Sequence, residues 1–186
     1  QALGVSTDAS YNVAIGYQSL KSLKTGNQNT AVGQRTLDSQ TSGSYQTALG
    51  AWALGMSTTT EANTAIGYAS QLETIKGNYN TAVGNQSLRE NIDGSYNVAI
   101  GHQTIGIGTT GNFNTAVGTY ALQKNISNYN TAVGYKALQE NQYTEGIENT
   151  AVGYKASGIS TSADRISAFG AYALQSLTNG HSNSAF

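Results

Sequence analysis

The sequence predicts an all-β chain, a parallel-stacked β-solenoid or β-roll of about eleven coils of about 17 residues each. Three observations carry this. A five-residue phrase, Asn-Thr-Ala-Val-Gly or a close relative, begins at Asn12, Asn29, Gln46, Asn63, Asn80, Asn97, Asn114, Asn130, Asn149, Ile166 and Asn183, with steps of 17 broken only by one of 16 and one of 19. Proline, which cannot donate to a β ladder, is absent from all 186 residues. From the first to the sixth position of ten successive copies there is no Asp, Glu, Lys or Arg. A unit of this size cannot bury a core alone, so the copies must stack on one another.

With the Asn numbered 0, the columns can be taken in order. Asparagines stacked at position 0 can pass amide hydrogen bonds from coil to coil, so a structural ladder is expected there rather than a ligand site. Position +1 is Thr or Val, with Ser only at Ser167 and Ser184. Position +2 is Ala in every copy, +3 is always large and apolar (Ile15, Val32, Leu49 through Phe169 and Phe186), and +4 is Gly in every complete copy. β-branched residues suit a pleated surface, and a period of 17 is too short for two helices and a turn, so the phrase is a strand. Alternation sets +1 and +3 on one face and 0, +2 and +4 on the other.

A half-exposed strand ordinarily carries charge on its wet face. This one has none, so it is expected to be buried on both sides. The coil's own polar return segment covers one side and an identical chain the other. Each coil is expected to bury one Val or Ile and one Leu, the latter at +8 (Leu20, Leu37, Leu88, Leu122, Leu174). The small Ala and Gly permit close approach by another backbone, and which face meets a sister chain stays open. The return from +9 to +16 is polar, with Gly three residues before most copies (Gly26, Gly43, Gly77, Gly94, Gly111, Gly146, Gly180) as turn chemistry. The shortened and lengthened repeats are expected to absorb their changes in these turns. Eleven levels at about 4.8 Å make a rod about 50 Å long.

Composition excludes several classes. Charged residues are 10% of the chain and the formal net charge is −1, with no basic cluster to track nucleic acid or an anionic membrane. No apolar run is long enough for membrane insertion as a helix. There is no cysteine for disulfides or thiolate metal sites. Gln1-Ala2-Leu3 is in register with Gln18-Ser19-Leu20, and Asn183-Ser184-Ala185-Phe186 stops inside a new repeat. Residues 1–186 therefore read as one repetitive segment, cut at both ends from a longer fibre protein.

Asn12-Val-Ala-Ile-Gly16, Asn97-Val-Ala-Ile-Gly101 and the Asn-Thr-Ala-Val-Gly copies resemble the Asn-Ser-Val-Ala-Ile-Gly phrase of YadA-like heads in trimeric autotransporter adhesins. Those heads are trimeric left-handed parallel β-rolls with shorter repeats. The longer form, Gly77 to Gly84 followed by a Tyr-Lys-Ala-Leu as at Tyr135 to Leu138, is similar to the repetitive shafts of bacteriophage tail fibres. The resemblance implies a homotrimer on a virion tail fibre or a bacterial cell surface, with host attachment or adhesion as its task.

No enzyme is expected, and no cofactor or metal. The histidines, His102 and His181, stand about five coils apart, and the acids Glu90, Asp93, Glu145 and Glu148 read as solvated turn charges. Tyr79, Tyr96, Phe113 and Tyr129 precede the phrase in successive copies, so their rings are expected to stack. A sugar-binding stripe is the alternative for them. Position +6 mixes Arg35, Trp52, Tyr120, Lys136, Lys155 and Tyr172, a solvent-facing set suited to contact a glycan or protein receptor. The Thr column at +1 raises a third class, an ice-binding solenoid, against which stands its expected burial. The leading expectation is a phage tail-fibre shaft, with a bacterial surface adhesin or extracellular filament subunit as the alternative.

Overall fold

The computed structural model describes residues 2–4, 7–107, 110–141, 148–160, 162–177 and 179–186. The expected turn at Gly146, with Glu145, lies outside the described residues. Each phrase forms one strand, of three residues in all but the last copy: β1 (Val13–Ile15), β2 (Thr30–Val32), β3 (Thr47–Leu49), β4 (Thr64–Ile66), β5 (Thr81–Val83), β6 (Val98–Ile100), β7 (Thr115–Val117) and β8 (Thr131–Val133). Then follow β9 (Glu140–Asn141), β10 (Thr150–Val152), β11 (Ile159–Ser160), β12 (Ser162–Asp164), β13 (Ser167–Phe169), β14 (Asn179–His181) and β15 (Ser184–Ala185).

The strands from the phrase make one eleven-stranded parallel sheet in the order β1-β2-β3-β4-β5-β6-β7-β8-β10-β13-β15. Like pairs with like: Ala99 faces Ala116, and Ile100 faces Val117. Two short parallel pairs, β9 with β11 and β12 with β14, lie in the return segments near the C-terminal end. The chain is a β-solenoid, as the period requires.

Two features end each strand after three residues. The Gly at +4 has a positive φ, +135° at Gly101, and a Cβ there would lie 2.8 Å from the carbonyl carbon of Gly118 one coil on. No side chain fits between coils at that point. Beyond it the chain turns through residues at +6 and +8 in the left-handed region, and it enters the next strand through another at −1. These are Leu, Tyr, Gln and Lys as readily as anything else: Gln103 has φ 49°, Leu122 48° and Tyr96 59°. Each such residue costs about 1–2 kcal/mol. The cost is tolerated because the corners keep their inter-coil bonds, as where Tyr120 N donates to His102 O at 3.0 Å and Leu122 N to Ala137 O at 3.0 Å.

The interior is defined by the +2 Ala and the +8 Leu, which close on each other from opposite walls. Ala31, Ala48, Ala65, Ala82, Ala99, Ala116, Ala132, Ala151 and Ala168 are fully buried, as are Leu20, Leu37, Leu54, Leu88, Leu122 and Leu138. This corrects one expectation. The large residue at +3 is not in the coil's interior: Leu49 is 47% and Ile100 41% exposed in the single chain. The small Ala face lies against the chain's own opposite wall, whose Leu leaves room for nothing larger than a methyl group.

Position 0 is the polar seam of this core. Asn80 Oδ1 accepts from Asn97 N at 2.9 Å, Asn97 Oδ1 from Asn114 N at 2.9 Å, and Asn114 Oδ1 from Asn130 N at 2.9 Å. Most of these side-chain amides also donate forward, as Asn97 Nδ2 does to Gly111 O at 2.8 Å, while Asn130 Nδ2 donates back to Ser127 Oγ at 3.0 Å. The +7 hydroxyls do the same work on the next turn: Ser87 Oγ donates to Ala99 O at 2.8 Å. Two polar residues interrupt the leucine column at +8, Gln71 and Ser157, both fully buried. Gln71 divides the apolar interior into two clusters, and neither its Oε1 nor its Nε2 has a hydrogen-bond partner among the described residues.

Two opposite substitutions test this interior. Asn97→Ala orphans a buried N–H and a buried C=O, and is expected to lower stability by about 2–4 kcal/mol. Gln71→Leu restores leucine at its level and is expected to raise it by about 1–3 kcal/mol. Urea titration followed by circular dichroism reads both, and a midpoint that moved the other way in either variant would contradict the assignment.

Candidate functional site

With Ala and Asn turned inward, the outward face of the sheet carries the +1 and +3 columns. Thr30 and Thr47 are exposed; Thr64, Thr81, Thr115, Thr131 and Thr150 are half-buried between their neighbours above and below. The apolar +3 column runs beside them. The result is an uncharged face about 50 Å long and, at three residues per strand, about 10 Å wide. The flanking column at −1 bounds one edge. There Tyr79, Tyr96, Phe113 and Tyr129 stack with centroids 5.0, 5.0 and 5.2 Å apart and interplanar angles of 9°, 4° and 1°. The inner rings of this stack, Tyr96 and Phe113, have a ring neighbour on each face, and all four remain about half exposed.

The other edge, past the +4 glycine, carries the receptor-contact candidates. The structure separates them into two groups. Arg35 lies over Trp52 with its guanidinium carbon 4.7 Å from the ring centroid, and its Nε donates to Gln18 Oε1 at 2.8 Å. Tyr120, Lys136, Lys155 and Tyr172 lie several coils away and form one ridge. Sequence reasoning missed two members of it, Tyr135 and Tyr154 at +5, because that column is irregular along the chain. The Lys136 ammonium sits 5.7 Å from the Tyr120 centroid and 5.4 Å from that of Tyr135. Lys155 sits 5.3 Å from Tyr154 and 5.8 Å from Tyr172.

The ridge differs from the −1 ladder in ring orientation. Tyr135 and Tyr154 stack at 5.4 Å, but Tyr120 meets Tyr135 at 74° and Tyr172 meets Tyr154 at 76°. The terminal tyrosines are therefore turned out of the stack, and Tyr172 is 51% exposed. Beside the ridge a glutamine ladder runs through Gln86, Gln103, Gln123 and Gln139, each amide donating to the one before at 2.8, 3.1 and 2.8 Å. It stops at a cleft of about 190 Å³ lined by Lys136, Gln139, Lys155, Gly158 and Gln175.

The histidines take separate places. His102 packs edge-on to Tyr120 at 5.6 Å. His181 Nδ1 bonds Asp164 Oδ1 at the C-terminal end. That bond holds the Asp164 carboxyl below its usual range, with help from Arg165 and against a smaller opposing effect of burial. Among the described residues no three His, Cys, Asp or Glu come together to hold a metal, and no helix is long and apolar enough to cross a membrane. Comparison with protein-family models, with curated proteins and with solved structures finds no match to this chain.

Proposed function

We propose that this chain is a shaft segment of a homotrimeric attachment fibre, as in a phage tail fibre that engages a host cell. A bacterial surface adhesin or extracellular filament subunit is the alternative setting. The observation that carries the reading is the uncharged Thr/Val/Ile face, continuous over eleven parallel strands and half-exposed in the single chain. Its area, about 500 Å², is at the size of the largest patch on an ordinary monomer, and here the patch is uniform in chemistry from end to end. A standard interface takes about 800 Å² per partner, so the tyrosine column at −1 joins it. Copies packed around one axis bury the same columns on every chain. The work of such an object is mechanical: it sets a length and presents its flanks.

A second reading has one observation in its favour. The threonine column is outside the coil, contrary to the expected burial, and between its interruptions at Val13, Val98, Ser167 and Ser184 it recurs once per strand, as in an ice-binding face. Two measurements separate the readings. Sedimentation equilibrium is expected to give three times the chain mass of 19.4 kDa, and Val117→Glu, which repeats an acid around the axis, is expected to weaken assembly at least about tenfold while keeping the β circular dichroism. A monomeric wild-type chain would refute the fibre. Thermal hysteresis is expected to be absent, and a freezing gap that grows with protein concentration would transfer the sheet face to ice.

A further inference from the structure

The cleft at the end of the glutamine ladder exists because of one residue. Position +9 reads Gln123, Gln139, Gly158 and Gln175 in four successive coils. At the third of these the side chain is missing, and the opening lies between the glutamines below and above. Gly158 is not there for its backbone. It has no positive φ, and a Cβ added to it would meet nothing closer than Lys155 O at 3.4 Å. A Cβ there makes only ordinary contacts, so no close approach of backbone demands glycine at this position.

Three chemistries converge on the opening. Lys136 and Lys155 occupy position +6 of consecutive coils, one above the other on the same wall, and neither has a carboxylate within ion-pair distance among the described residues. The other ammonium nearby, Lys124, is already paired with Glu140 at 3.2 Å. Two like charges at strand spacing repel each other, and an anion between them relieves the repulsion. Gln139 spends its Nε2 on Gln123, and no described residue donates to its Oε1, the place where the next glutamine of the ladder would have bonded. Beside these lie Tyr154 and Tyr172, with Tyr172 turned edge-on out of the stack.

We propose that this cleft binds an acidic saccharide, a pyranose bearing a carboxylate. The carboxylate bridges the Lys136 and Lys155 ammoniums. A ring hydroxyl donates to Gln139 Oε1, another engages the Gln175 amide, and the apolar face of the sugar packs on the tyrosine ridge. The volume, about 190 Å³, admits one sugar residue of a longer chain, with the rest lying along the ridge. The site deepens the attachment reading, on which it rests for its purpose: it is on the flank beyond the +4 glycine and stays open when copies bury their sheet faces. A simple anion would satisfy the lysines and leave the glutamine and the rings unused.

The test is calorimetric titration of the full chain, in its native assembly state, with an oligogalacturonate, with its neutral methyl ester, and with polyglutamate of matched charge. The oligogalacturonate is expected to bind, and the ester and the polyglutamate each at least about tenfold more weakly. Gly158→Gln, which completes the glutamine column, is expected to reduce oligogalacturonate binding at least about tenfold with unchanged circular dichroism and sedimentation, while Lys124→Gln leaves it unchanged. Absence of binding, equal binding of polyglutamate, or full binding by Gly158→Gln would each overturn the proposal. Sedimentation of the same samples keeps the two readings apart: a trimer that does not bind refutes the site, and a monomer that binds refutes the fibre.

Discussion

In-register parallel stacking makes every residue the neighbour of its own counterpart one turn away. Side chains that cannot tolerate a copy of themselves at about 4.8 Å are thereby excluded from the ladder. This accounts for the absence of charge from position 0 to +5, since like charges directly opposed are destabilising. It also selects asparagine for the seam. An amide carries both donor and acceptor, so it can accept from the coil after it and donate forward as well, whereas a carboxylate only accepts and would pile up charge. Gln46 keeps the function with one more methylene, its Oε1 accepting from Asn63 N at 3.1 Å. Ile166 closes the seam, since its N–H donates to Asn149 Oδ1 and it has no side-chain amide to continue the ladder.

Much of this was legible in the residues. The strand bounds follow the phrase, with Thr81-Ala82-Val83 forming β5 and nothing on either side of it. The asparagine ladder and the Tyr79-to-Tyr129 ring stack also follow from spacing alone, because a period fixes which residues lie above which. What spacing does not fix is which face turns inward. Hydrophobicity favours Val over Ala for a core, yet Ala116 is buried and Val117 is only half so. The deciding factor is width: leucine from the far wall fills the coil, and the near wall has space for a methyl group. The corners were illegible for a similar reason. Left-handed residues are ordinarily sought at Gly, Asn or Asp, whereas here Leu88 and Leu138 adopt φ 49° and 47° under the pull of the inter-coil ladder.

The candidate site shows the same division. Residues of one column are gathered by the period, which is how Lys136 and Lys155 come to stand together. Contacts between columns depend on how the corner turns. Position +6 approaches +9 across the left-handed corner, as Gln103 and Gln123 do, and no sequence spacing announces that approach. Tyr135 and Tyr154 join the ridge by the same route. The molecule thus offers surfaces of different kind on different walls, one broad and uncharged, the other narrow, aromatic and cationic. A fibre can bury the first among its copies and keep the second for what it meets.

Pulsed electron–electron distance measurement tests the stacking most directly. Nitroxide labels at position +5, paired as Gln34 with Thr119 and as Gln34 with His102, span five and four coils, in assemblies diluted with unlabelled chain. Stacking at one strand spacing per 17 residues predicts narrow distributions near 24 Å and 19 Å, a difference of about 5 Å. Broad distributions, or a separation that does not grow by one strand spacing per coil, would contradict the solenoid and everything built on it.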